Sequence, residues 1–156
     1  MIVGSGKQFK KMSDWFKINN PTNAKLLSGL SKENYDKLLA VCDVGLIFLN
    51  EKFTIPNYSS RLLDNLYYDL AILSNTDSIT DIGLIIVKEN IGKYFYGIQE
   101  LDNMILEINK MKNSNYLKSF NNNSQIILSN FFNIESSYKL INNKITNNYE
   151  ESRRIT

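Results

Sequence analysis

Residues 44–49, Val44-Gly45-Leu46-Ile47-Phe48-Leu49, form an uninterrupted apolar run. That is the pattern of a parallel strand covered on both faces. What flanks it decides the class. Upstream, Ile2 and Val3 lead into Gly4-Ser5-Gly6, after which Phe9, Met12 and Phe16 recur at helical spacing along 7–18. The breaker cluster at 19–23 precedes a strand over 24–28, Gly29 turns the chain, and Ser31 caps a helix whose one face carries Tyr35, Leu38, Leu39 and Cys42. Downstream, Ser59-Ser60-Arg61 opens a helix bearing Leu62, Leu63 and Leu66, a short strand follows at 71–73, and Thr76-Asp77-Ser78 supplies cap residues for a helix over 80–90. Gly92 ends that helix, and 94–96 is the last strand. Strands separated by single helices and short connections mean βαβ units, so the expected class is α/β with an open parallel sheet flanked by helices.

Three helices are expected to close the chain, striped by Leu101, Met104, Ile105 and Ile108, by Leu117, Phe120, Ile127 and Leu128, and by Ile134, Tyr138, Ile141 and Ile145. Because that period runs through Asn121-Asn122-Asn123 and Asn142-Asn143, both asparagine runs read as solvated helix faces. Residues 147–156 read as a flexible tail. The 156 residues suit one domain around one core.

Composition closes off much chemistry. The chain has no His and one Cys, Cys42, which removes the commonest general base and metal ligand and leaves neither a disulfide framework nor a thiolate cage. Cys42 reads as core. A net charge of +2 is too small for the basic field of a nucleic-acid binder. No stretch approaches the roughly 20 apolar residues of a membrane span, and no signal-peptide pattern opens the chain, so a cytoplasmic location is expected.

In open parallel sheets, ligands meet the loops at the carboxyl ends of the strands, here 4–6, 29–31, 51–60 and 75–80. Gly4-Ser5-Gly6 lets backbone N–H groups approach a phosphate at a helix start, although it completes neither GxGxxG nor GxxxxGK, and an ordinary βα turn explains it as well. Ser59, Ser60 and Arg61 combine two hydroxyls and a guanidinium suited to a diphosphate, against the alternative of a capped helix with a solvated Arg. Asp64, one turn on, has the chemistry to accept from a ribose diol, as does any surface carboxylate. At 80–83 a capping turn competes with a ligand contact, and Gly83 permits close approach of a neighbouring group. Tyr67, Tyr68, Tyr94, Phe95 and Tyr96 read as core or sheet edge rather than stacking platforms.

The run from Asp43 through Leu49, followed by Phe53-Thr54-Ile55-Pro56-Asn57-Tyr58-Ser59-Ser60-Arg61-Leu62-Leu63, resembles the donor-binding, C-terminal half of GT-B-fold retaining glycosyltransferases. The likeness is to the group 1 or family 4 type of capsule and O-antigen polysaccharide biosynthesis. Ile2 to Gly6 is similar to that family's VGxG strand and turn, Gly29-Leu30-Ser31 to its next loop, and Asp77 to Gly83 to its TDIG segment. The resemblance implies a Rossmann-like donor domain over 1–146, with C-terminal helices at 99–146.

It further implies a site in which Gly4, Ser5 and Gly6 lie by the diphosphate and Gly29, Leu30 and Ser31 near the base. Ser59, Ser60 and Arg61 would face the phosphates, with Arg61 the catalytic cation, and Asp64 would meet the ribose. Asp64 stands where the family usually has Glu, Ser59 and Ala71 where Pro is frequent, and Asp69 where Gly is common. The implied activity is retaining, hexosyltransferase-type transfer from a nucleotide-sugar, the donor being substrate rather than cofactor, with no metal. Implied too are a missing N-terminal acceptor domain, a missing first strand and helix of the donor domain, and peripheral association of the whole enzyme with the inner face of a bacterial plasma membrane. The missing strand would lie between Ile2-Val3 and 44–49, so the chain alone is expected to be inactive, marginally stable and self-associating. The alternative is an orphaned nucleotide-binding module without transfer activity. A receiver-like signalling domain lacks its acidic residues at the strand ends Gly4 and Asn50.

Overall fold

The computed structural model describes residues 1–50, 52, 59–121 and 123–153. The stretch 53–58 of the glycosyltransferase-like run lies outside the described residues. The protein is α/β, with open parallel sheets flanked by helices. It divides into two compact units, 1–42 and 43–156.

In the first unit β1 (Ile2–Val3) pairs in parallel with β2 (Leu26–Leu27), Ile2 opposite Leu26 and Val3 opposite Leu27. β2 is shorter than the expected 24–28. α1 (Phe9–Asn19) joins the strands, and α2 (Lys32–Leu39) follows β2. As expected, Ser31 caps α2: its extended backbone lets the hydroxyl accept from the Asn34 N–H at 3.4 Å. Cys42 is only half-buried and donates its thiol to the Leu38 carbonyl.

The second unit carries a parallel sheet in the order β3 (Val44–Phe48), β4 (Ala71–Thr76), β5 (Gly92–Tyr96). β4 runs three residues beyond its expected end. Alternation along β4 feeds two cores. On one face Ile72 packs with Ile47 of β3, Leu62 and Leu66 of α3 (Arg61–Tyr67), Ile82 and Ile86 of α4 (Ile82–Lys88), Ile91 just before β5, and Ile127 of α7 (Ser124–Phe131). On the other, Ala71 and Leu73 meet Met104, Met111 and Phe120 of α5 (Leu101–Met111) and α6 (Ser114–Asn121). Each fully buried Leu or Ile contributes about 1.5–3 kcal/mol relative to exposure, so β4 anchors the unit from both sides.

Several expectations are corrected. β3 is not covered on both faces: Gly45 and Ile47 are buried, whereas Leu46 is 43% and Phe48 51% exposed. β3 is the last strand of its sheet: Leu62 and Leu66 cover its Ile47 face, and the opposite face stays open at Leu46 and Phe48. Gly92 opens β5 instead of ending α4, because a Cβ there would stand 1.9 Å from the Ile72 carbonyl oxygen. α4 is ended by Asn90, left-handed at φ 50°, with the Ile91 N–H reaching back to the Ile86 carbonyl. α3 ends the same way, with Asp69 at φ 53° and the Leu70 N–H on the Asn65 carbonyl.

The second C-terminal stripe is two helices: α6 ends at Asn121, α7 begins at Ser124, and Asn123 donates its side-chain amide to the Glu89 carbonyl. A polar amide with a partner on another element wins over continued period. Asn142 and Asn143 do lie on an exposed helix surface, within α8 (Ile134–Arg153). α8 carries helix through Arg153, into what reads in sequence as tail. Tyr67 is exposed on the outer side of α3, edge-on to Tyr68 at 5.1 Å, and so is not core. None of the described helices is long and apolar enough to cross a membrane.

Candidate functional site

β3 and β4 are parallel, so α3 runs back between them and begins at the carboxyl end of the sheet. There Ser59 is buried, and its carbonyl accepts from the Leu62 N–H at 3.0 Å. Ser60 precedes the helix with a helical backbone (φ −57°, ψ −23°) and makes no side-chain cap. A capping hydroxyl needs an extended backbone to fold back on the first N–H groups, so the Ser60 hydroxyl is left without a cap role. The Arg61 side chain is exposed and has no hydrogen bond or ion pair among the described residues. Asp64 is half-buried, and its carbonyl receives the Tyr68 N–H at 3.2 Å. Leu62, Asn65 and Leu66 fix the inner face of α3 in the core. A cation, a hydroxyl and a carboxylate thus stand on one rigid helix start.

In the first unit the loops after β1 and β2 lie side by side: a Cβ on Gly29 would sit 3.5 Å from the Ser5 hydroxyl oxygen. Over Gly4 and Gly6 the same test meets nothing within 4 Å, the openness that close approach to backbone N–H groups needs. Neither they nor Gly29 has a left-handed φ, so the backbone itself tolerates other residues there. Leu30 and Ser31 are exposed, and the Ser31 hydroxyl is occupied by its cap. The ten sequence-derived site residues therefore fall into two groups, Gly4, Ser5, Gly6, Gly29, Leu30 and Ser31 in the first unit, and Ser59, Ser60, Arg61 and Asp64 in the second.

The turn after β4 serves the fold. Asp77 is fully buried, and its carboxylate accepts the N–H groups of Ile79 at 2.8 Å and Thr80 at 2.9 Å, and the Thr80 hydroxyl at 3.4 Å. Burial alone would raise this carboxyl, but the bonds from Ile79 and Thr80 hold it below its usual range. Tyr94 donates its hydroxyl to the Asp77 carbonyl at 3.2 Å. A Cβ on Gly83 would come within 2.6 Å of the Tyr94 ring, so the group that Gly83 admits is that ring. Asn75 donates to the Gly97 carbonyl at 2.9 Å and ties the ends of β4 and β5.

A cavity of about 440 Å³ lies elsewhere, at the amino end of β3, lined mainly by Val44, Leu46, Ile108, Met111 and Leu117. It is apolar, and lies away from the carboxyl-end loops. Two further features are illegible in sequence. Glu107, on α5, is buried; it accepts from the Tyr116 hydroxyl and lies 3.2 Å from the Lys110 ammonium. Burial first, then the bond and charge of Glu107, push Tyr116 up to about 12. Asn65 lies against Gly45, whose Cβ would be 2.3 Å from the amide, and its buried Nδ2 lacks a hydrogen-bond acceptor among the described residues. No periodicity marks either pair, since the partners belong to different elements.

No protein-family model matches the chain, and no curated protein matches it.

Proposed function

We propose that this chain is the nucleotide-sugar-binding half of a retaining glycosyltransferase that transfers a sugar to a bacterial surface polysaccharide or glycolipid. The observation that supports this most is Arg61, an exposed guanidinium without an ion-pair partner among the described residues, at a helix start on the carboxyl end of a parallel sheet. Beside it, the uncapped Ser60 hydroxyl supplies a donor for a phosphate oxygen, and Asp64 an acceptor for a ribose diol. In this reading Arg61 stabilises the departing diphosphate as charge develops on it. Within the first unit, taken by itself, the open space over Gly4 and Gly6 suits approach of an anion to the backbone. The working place of such an enzyme is the cytoplasmic side of the membrane, where activated donors are made.

Calorimetric titration of the chain with a panel of nucleoside diphosphates tests the reading. At least one should bind, and Arg61→Ala should weaken it by a factor of about 10–100, the loss of a charge-assisted contact worth about 1.5–3 kcal/mol. Unchanged affinity in Arg61→Ala removes Arg61 from the site, and no binding by any diphosphate removes the nucleotide reading. The alternative is a binding module that holds the nucleotide and transfers nothing; it is separated by assaying sugar transfer in a protein that also contains an acceptor domain.

A further inference from the structure

α8 is a 20-residue helix whose side chains from Ile134 to Thr146 are all exposed: Ile134 is 87%, Tyr138 66%, Ile141 58% and Ile145 55% open to solvent. Its sequence, rich in Asn, Ser, Tyr and Ile, has modest intrinsic helix propensity. A helix of such composition draws its stability from packing of an apolar face. Four of its five exposed large apolar residues, all but Leu140, are spaced four, three and four apart. That 3.5-residue period is the seam one helix presents to another, rather than the broader stripe that faces a globular core.

The seam is also its own complement. Turned end for end about the point between Lys139 and Leu140, a second α8 sets Ile134 against Ile145 and Tyr138 against Ile141, so every layer is apolar. The flanks are compatible: Glu135 falls beside Asn142 of the second copy and Lys144 beside Ser137, with no like charges opposed, while Glu135 and Lys139 keep their pairing within one helix at 3.2 Å. Burying the four side chains on both copies removes on the order of 1,000 Å² from water, the lower bound for a specific interface.

We propose that this chain forms a two-fold dimer through antiparallel pairing of its α8 helices along Ile134, Tyr138, Ile141 and Ile145. The proposal does not depend on nucleotide binding. An interface of this size makes a reversible, concentration-dependent dimer.

Sedimentation velocity of the whole chain over a concentration series should show monomer–dimer exchange. Ile141→Lys should weaken it at least tenfold, and Ser136→Lys, on the opposite face, should leave it unchanged. In a Cys42→Ser background, an Ile134→Cys chain mixed with an Ile145→Cys chain should be joined by a short bismaleimide, and neither chain should be joined to itself. The proposal is overturned by a monomer at every concentration, by equal association of Ile141→Lys, or by self-linking of Ile134→Cys, which would mean parallel pairing. Linking of Ile141→Cys chains to Leu46→Cys chains also overturns it, because the partner would then be the hollow beside β3.

Discussion

Replacing Gly83 by Ala tests how the turn after β4 is held. The new Cβ would lie 2.6–2.7 Å from three atoms of the Tyr94 ring, closer than any real carbon contact, so ring or helix must move. Gly83 is buried within α4, and overpacking of this kind costs about 1–3 kcal/mol. Tyr94 moves with a penalty of its own, because its hydroxyl donates to the Asp77 carbonyl at 3.2 Å, a bond worth about 1 kcal/mol. Together the loss is about 2–4 kcal/mol, a large part of the 5–15 kcal/mol that holds a typical domain. Urea unfolding followed by tyrosine fluorescence should show a lower midpoint with unchanged slope, and Tm should fall by on the order of 10 °C. Tyr94→Leu removes the obstructing ring, so the double variant should be less damaged than the sum of the singles by about 0.5–3 kcal/mol. Strict additivity, or a Gly83→Ala protein as stable as the parent, would refute the contact between Gly83 and the Tyr94 ring.

The depressed Asp77 carboxyl gives stability that is fully present above the ordinary carboxylate value of about 3.9 and is lost as pH falls through its lower folded value; urea midpoints measured from neutral to acid pH should fall less steeply for Asp77→Asn than for the parent. Tyr116, raised to about 12, contributes stability that is whole below about 10 and disappears as pH rises from there to 12. Ultraviolet titration should accordingly find Tyr116 ionising late, and Glu107→Gln should bring it down. Asp69 ends α3 at φ 53°, where a side chain is strained, so Asp69→Gly should raise stability by about 1 kcal/mol or less in the same urea assay.

The order of strands and helices is legible in sequence because its signals are local. The apolar run 44–49, the Ser31 cap and the helical stripes at 62–66 and 101–111 each act within a few residues of themselves, and the α/β class follows from their alternation. Position along the chain likewise puts Arg61 and Asp64 on a helix start. What those signals omit is whatever a residue meets from elsewhere. Leu46 and Phe48 read as buried, yet they are exposed because burial depends on which helices extend over an edge strand. The apolar period runs on past Asn121, yet α6 ends there and α7 starts anew at Ser124, with Asn123 bonded to Glu89, distant in sequence. Asp69 and Asn90 end helices in a left-handed turn that glycine would ordinarily signal. Gly83, Gly92 and Gly45 are small because of the Tyr94 ring, the Ile72 backbone and the Asn65 amide, none of them adjacent in the chain. Local chemistry thus decides which elements form and in what order. Only tertiary packing decides which faces are covered, which hydroxyls are occupied by caps, and that Arg61 stands without an ion-pair partner among the described residues.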